Sequence, residues 1–305
     1  MSLKHIKNKI RSVNKTHTVT KAIEAVSAVK MRKSQERALV ARPYARHALS
    51  ILKRVSLSSE KDNSPLMNER EVKKTLIVVV TSDKGLAGNL NNAVLRSVAS
   101  VMDKHGLSKE NTGIVSVGKK GYEYFKNRGF TIERDFDNTK DSVSVEDMKE
   151  VSGLLAKLYI DGAYDKCLVF YTHFISTFEQ DVRVRVVLPV NTEAVEKAVK
   201  WILPKTGKYS ELQEENGNGN RAYTFEPDAK EVLDELVPHL LNVELYHALL
   251  EAKASEHSAR MVAMKNASEK AEEISKDLTR KFNKERQSSI TQEISEITGG
   301  MNIFS

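Results

Sequence analysis

Apolar residues fall at Leu3, Ile6, Ile10 and Val13, the 3-4-3 spacing of a coiled-coil seam. Val19, Ala22, Ile23 and Val26 extend the stripe with a small phase shift. Part of Lys30-Met31-Arg32-Lys33 then faces outward, and Ala38, Ala41, Ala45 and Ala48 are small enough to admit a close neighbouring helix. Pro43 lies inside this arm and is expected to kink it. Ser56 to Asn68 reads as a linker.

The pattern then changes. Leu76 to Thr81 is a continuous apolar run, the mark of a buried parallel strand. Ser82-Asp83-Lys84-Gly85 turns the chain into a helix near Asn91 to Lys104. Ile114 to Val117 is a second strand, Gly118 to Arg128 a turn into a short helix, and Phe130 to Phe136 a peripheral strand. Val145 to Tyr159 is helical and Lys166 to His173 is another strand. Val182 to Leu188 alternates, and is expected to pair beside that strand as an antiparallel addition. Strands alternating with helices predict a small open, Rossmann-like α/β sheet.

Helical spacing returns at Val232, Leu236, Leu240, Leu245 and Leu249. It resumes at Met261, Met264, Ala267, Ala271, Ile274, Leu278 and Phe282, then at Ile290, Ile294 and Ile297. Pro227 and Asp228 suit a helix start, Pro238 bends the first turns, and Gly299-Gly300 reads as a stop. The fold class is α/β: a long antiparallel coiled coil of N- and C-terminal helices with a central Rossmann-like domain. The expected divisions are 1–57, first helix; 58–75, linker; 76–190, α/β domain; 191–227, polar connection; and 228–305, second helix. The last turns of the second helix should project alone.

Glycine placement agrees with this layout. The first glycine is Gly85, and none lies between Gly219 and Gly299. A glycine costs a helix interior about 1 kcal/mol relative to alanine, so its absence lets long helices persist. Charge is just as uneven. The net charge is +7, yet residues 1–55 hold fourteen Lys/Arg against the two acids Glu24 and Glu36. Such a cationic rod predicts an acidic partner: nucleic acid, an anionic membrane face or an acidic protein surface. One cysteine, Cys167, sits in an apolar run as a buried thiol and excludes a disulfide framework. No run of about 18 apolar residues exists, so no membrane span is expected.

Candidate chemistry is sparse. Thr81 to Gly88 follows a strand and precedes a helix, where α/β folds place phosphate, but its Gly-x-x-Gly spacing lacks the dinucleotide and phosphate-loop fingerprints. A structural or docking turn is the better reading, and Gly118-Lys119-Lys120-Gly121 fails the same tests. His239, His247 and His257 have no metal-ligand spacing and read as surface or interface residues. No catalytic constellation, cofactor site or metal site is expected. From charge alone, a basic coiled-coil nucleic-acid binder is the alternative to a protein-coupling subunit.

Three segments resemble the gamma subunit of F-type ATP synthases. They are Ile6 to Arg46, with Lys30-Met31-Arg32-Lys33-Ser34-Gln35 and Ala41-Arg42-Pro43-Tyr44; Thr81 to Gly88; and Glu256 to Ala267, continuing to Arg286-Gln287-Ser288-Ser289 and Ile297. The resemblance runs end to end. It implies a rotor shaft without catalytic residues, whose arms enter a ring of three alpha and three beta subunits. Unequal contacts with the beta subunits would bias their nucleotide states while proton flow turns the shaft.

Residue by residue, the resemblance carries the catch-loop contact to Arg286 and Gln287, and a lower shaft contact to Arg260. It brings Lys30, Arg32, Lys33 and Lys84 near the acidic lever of beta, and makes Tyr223, Phe225 and Glu226 the foot meeting epsilon and the membrane c-ring. It implies no nucleic acid and membrane association through partners only. Ala87 stands where the family often has cysteine, Lys84 where arginine is common, and Ile23 where methionine is frequent. The tail Met301 to Ser305 is bulkier than usual, residues 216–220 read as an insertion, and no cysteine pair provides a thiol switch. The N-terminus is basic and amphipathic but shows no obvious transit peptide. The expected location is therefore the cytoplasmic face of a bacterial plasma membrane, peripherally bound.

Overall fold

The computed structural model describes the backbone of residues 3–57, 64–138, 140, 143–191 and 229–301, with side chains for 3–40, 64–138, 140, 143–191 and 231–298. Two helices bracket the chain: α1, Leu3–Leu57, and the 73-residue α5, Ala229–Met301. Between them come β1 Thr75–Val80, α2 Leu90–His105, β2 Thr112–Val117, α3 Lys119–Lys126, β3 Thr131–Phe136, α4 Lys149–Ile160, β4 Lys166–Phe174 and β5 Gln180–Leu188. The chain divides into two compact units, residues 28–259 and residues 1–27 with 260–305.

The larger unit is built on one sheet of order β3-β2-β1-β4-β5. β1 pairs parallel with β2 and β4, β2 parallel with β3, and β5 closes the far edge antiparallel to β4. Every β1 residue is buried, because the strand is covered on both faces. Ile77 and Val79 meet Val94, Val98 and Met102 of α2 and Phe125 of α3. Leu76, Val78 and Val80 meet Val151, Leu155 and Tyr159 of α4 and the stretch Leu233 to Ala252 of α5. The helices thus change face between β1 and β4, the switch point at which open α/β sheets bind ligands.

The smaller unit pairs α1 antiparallel with α5. Ser275 Oγ lies 2.6 Å from Asn14 Oδ1, and Glu272 feels the charges of His17 and Lys21. The start of the seam is as predicted: Ile6 is buried, and Leu3, Ile10 and Val13 are half-buried. Of its continuation only Ile23 is half-buried. Val19 and Val26 are 57% and 53% exposed and Ala22 is exposed, while His17, Thr20 and Ser27 turn inward. A stiff helix keeps its 3-4 phase, so several inward positions after Val13 fall on polar residues. Thr20 satisfies its hydroxyl on the carbonyls of Thr16 and His17, which lets it be buried.

On α5, Met264 and Ala271 are buried and Met261, Ala267, Leu278 and Phe282 half-buried. Ile274 is exposed and Ser275 takes the inward place; Ile290, Ile294 and Ile297 are also exposed. Helix α1 continues through Pro43, and α5 continues through Pro238 and Gly299-Gly300 to Met301. Glycine permits a left-handed stop without imposing one, and the preceding turns propagate through it. His247 and His257, expected at a surface or interface, are buried, and His239 is exposed.

Candidate functional site

The turn after β1 is built from long-range bonds that spacing alone does not reveal. The Asp83 carboxylate accepts N–H bonds from Lys119 at 2.7 Å and from Asn138 at 2.9 Å. Asn138 Nδ2 donates to the Thr81 carbonyl at 2.6 Å, and Lys253 Nζ donates to the Asn138 carbonyl. Thr81 Oγ1 accepts from the N–H of Gly121. Ser82 N–H donates to Asn91 Oδ1, and Ser82 Oγ to the Lys84 carbonyl. Gly118 has φ 106°, and a Cβ there would come within 2.0 Å of the Thr81 carbonyl oxygen, so glycine is required.

The place where an α/β fold would hold phosphate is therefore filled by the chain's own carboxylate and amide. What the turn shows to solvent is Lys84-Gly85-Leu86. Leu86 has φ +64° and is 65% exposed. A left-handed leucine costs roughly 1–2 kcal/mol, and among the described residues its side chain stays largely in solvent. The arrangement presents an apolar knuckle beside a lysine.

The basic run on α1 lies along a packed contact. Met31 is buried against Phe174 and Ala254, whereas Arg32 and Lys33 are exposed and Lys30 half-buried. The outward valines continue here with Val29, more than half exposed. This stretch thus carries apolar and cationic groups on its solvent side.

In the smaller unit, Arg286 and Gln287 are exposed, and Arg260 is half-buried. Counting from Asn14 against Ser275, Arg286 stands at about the level of Leu3, the first described turn of α1. Beyond it Gln287 to Thr298 is exposed throughout, except for half-buried Ser289. The stretch is held by its own i,i+4 bonds, among them Gln292 to Glu296 at 2.9 Å and Thr291 to the Gln287 carbonyl at 2.9 Å. Tyr223, Phe225, Glu226 and the segment 216–220 lie outside the described residues.

Buried polar groups of the larger unit form a separate cluster under α5. His173 Nδ1 lies 2.7 Å from Glu251 Oε2, with Arg185 3.9 Å from the same oxygen and its guanidinium over the Tyr171 ring. Burial pushes the Glu244 carboxyl up to about 7, against the pull of Arg185. Burial also pushes the Cys167 thiol up, so it stays protonated and inert. Sequence spacing could not flag this cluster, since its members come from β4, β5 and α5. Among the described residues, no group of three or more His, Cys, Asp or Glu could hold a metal, and no helix is long and apolar enough to cross a membrane.

A family model described as ATP synthase matches residues 2–303. Among solved structures, the chain is similar to one in the central stalk and c-ring of Tetrahymena thermophila mitochondrial ATP synthase. That likeness has 23% identity and a TM-score of 0.59, and covers 82% of this chain and 99% of that one. A chain of the Euglena gracilis mitochondrial ATP synthase rotor, in rotational state 1, gives 17% identity, a TM-score of 0.62, and coverage of 94% and 98%. A chain from the OSCP/F1/c-ring assembly of the same enzyme, in rotational state 3, gives 18%, 0.66, and coverage of 99% and 94%. These likenesses show the fold.

Proposed function

The chain belongs to the ATP synthase family, that of the gamma subunit of the F-type enzymes, and we propose how its parts serve that central-stalk role. Helices 1–57 and 228–305 are the shaft, linked through 58–75 to the α/β body 76–190, with 191–227 as the foot. Shaft contacts bias the nucleotide-binding subunits around it, because unequal binding to two conformations shifts their equilibrium. The chain supplies no catalytic group of its own and couples proton-driven rotation to ATP synthesis elsewhere.

The observation that carries this reading is the exposed helix past Arg286. Ile290, Ile294 and Ile297 stand exposed on it at 4-3 spacing, with no partner helix among the described residues. An apolar stripe on a helix calls for a sleeve around it. Arg286 and Gln287 at its base are the proposed catch-loop contact with a beta subunit, and Arg260 a contact lower on the shaft. Lys84, Lys30, Arg32 and Lys33 meet the acidic lever of beta, which supplies the anionic partner that the +12 arm requires. Tyr223, Phe225 and Glu226 are proposed for the foot, toward epsilon and the membrane c-ring.

Membrane association is through those partners. The proposed location is the proton-coupling membrane, on the cytoplasmic face if the source is bacterial; the solved structures above are mitochondrial. The deciding experiment is native mass measurement on the tagged chain purified gently from its own cells. A complex with one copy of this chain beside three copies each of two nucleotide-binding subunits is expected. A monomer or homodimer carrying nucleic acid overturns the reading.

A further inference from the structure

The connection that follows β3 is laid along one stripe of α5. Lys253 Nζ donates to the Asn138 carbonyl, Tyr246 Oη to the Val143 carbonyl at 3.4 Å, and Asn242 Nδ2 to the Val145 carbonyl at 3.1 Å. The spacing from Asn242 to Tyr246 is i,i+4 and from Tyr246 to Lys253 i,i+7, which puts all three on one helix face. These contacts lie within the larger unit. The Asn242 rung also holds α4, since Ser152 Oγ donates to Asn242 Oδ1 at 3.1 Å.

The Lys253 rung reaches further. Asn138 is buried and bonds twice to the turn after β1: its N–H donates to Asp83 Oδ2 at 2.9 Å and its Nδ2 to the Thr81 carbonyl at 2.6 Å. Between those two residues, Ser82 Oγ donates to the Lys84 carbonyl at 2.6 Å. Lys253 itself is only 3% exposed, a depth at which lysine is almost never found unless it is paired. A short line of bonds thus runs from α5 through Asn138 to the base of the exposed Lys84-Gly85-Leu86 knuckle.

We propose that Lys253 is a positioning residue: it acts through Asn138 to fix the Lys84-Gly85-Leu86 turn to the shaft helix, so that the turn meets the hexamer in one orientation. The inference rests on the shaft reading above and on its contact at Lys84. Apolar packing ties α5 to β1 itself, through Leu76, Val78 and Val80. The knuckle beyond the strand is tied back to α5 through the polar line. A turn already held in its bound orientation loses little freedom on docking, so loosening it weakens the contact without removing any group that touches the partner.

The test titrates the full chain with the catalytic hexamer, at a temperature where the variants are folded. Lys253→Met keeps the reach of the side chain and removes the donor. It should weaken association about threefold to tenfold. Amide exchange should quicken at Lys119 and Asn138, whose N–H groups bond to Asp83. Asn138→Ala leaves Lys253 its backbone acceptor, cuts the bond to Thr81, and should weaken association to a similar extent. The double variant should be no weaker than the worse single one, because both act through one line of bonds. Losses that multiply, or unchanged association in either folded single variant, overturn the inference. If Lys253→Met does not fold, Asn138→Ala decides: quickened exchange at Lys119 with weakened association upholds the link, and either one unchanged overturns it. Lys84→Ala separates the levels. Weakened association there, with Lys253→Met unaffected, overturns the positioning role alone. A wild-type chain that does not bind the hexamer overturns both this inference and the shaft reading.

Discussion

Ser275 of α5 meets Asn14 of α1 at 2.6 Å, and this polar pair registers the two antiparallel helices of the smaller unit. Ser275 is half-buried while its neighbour Ile274 faces solvent, and Asn14 is exposed beside half-buried Val13. A polar pair at the rim of a seam adds little stability but favours one alignment. The alignment decides which residues of α5 lie past the described end of α1, and Arg286 is at that boundary.

Arg286→Glu should therefore leave the subunit folded and impair its work. The side chain is exposed, so stability should change by no more than about 0.5 kcal/mol. Coupled ATP synthesis in the assembled enzyme should fall about tenfold or more, equivalent to ~1.4 kcal/mol of lost contact. Synthesis at the wild-type rate, measured beside an unchanged melting curve, would count against the proposed contact.

Leu86→Gly separates fold from docking. The left-handed conformation of Leu86 is native to glycine, so the substitution should relieve strain and stabilise the isolated chain by about 0.5–1 kcal/mol. The same change removes an exposed apolar knuckle, and association with the hexamer should weaken. Chemical denaturation and a binding titration read the two effects. A variant both less stable and equally well bound would show that Leu86 serves the turn instead of a partner.

Asp83 tests whether the first strand-to-helix turn is structural. Asp83→Ala leaves the N–H groups of Lys119 and Asn138 without their acceptor, at a cost of about 1–3 kcal/mol for each that stays buried. Asp83→Asn keeps one carbonyl oxygen and should recover part of the loss. Added ATP should not raise the melting temperature of either, because the cradle is filled by chain atoms. ATP-dependent stabilisation of Asp83→Ala would reopen a nucleotide role for the turn.

The central sheet was legible because its strands are apolar runs at the expected spacing. β1 lies one residue from its predicted start, and the alternation from Val182 to Leu188 foretold the antiparallel edge. The seam was legible through Val13 and again at Ile23. Past Val13 the apolar valines lie outside and Thr20 and Ser27 inside, so counting hydrophobic residues follows the partner face, not the pair. The turn at Asp83 reads as a structural or docking turn by what it lacks, but its bonds to residues 36 and 55 positions away have no local signature. His247 and Glu244 were hidden for a related reason: helical periodicity cannot announce that a long helix is enclosed on all sides.

Glu244 supplies the last prediction, through pH. Its carboxyl is raised from 4.5 to about 7, first by burial, with Arg185 opposing the rise. Tyr171 and Cys167, also close enough to feel its charge, are held neutral by burial. Between pH about 4.5 and 7 the folded chain keeps a proton that the unfolded chain has released. Folding stability from this group therefore falls as pH rises through that window and is flat above it. Glu244→Gln retains the shape and cannot ionise. It should match the wild type near pH 5 and exceed it at pH 8 by on the order of 2 kcal/mol. Arg185 keeps Glu251 at 3.9 Å, so the variant does not leave that guanidinium without a carboxylate. Denaturant titrations of both chains at the two pH values give the comparison. A variant less stable than the wild type at pH 8 would mean that the Glu244 charge, paired with Arg185, stabilises the interior despite its burial.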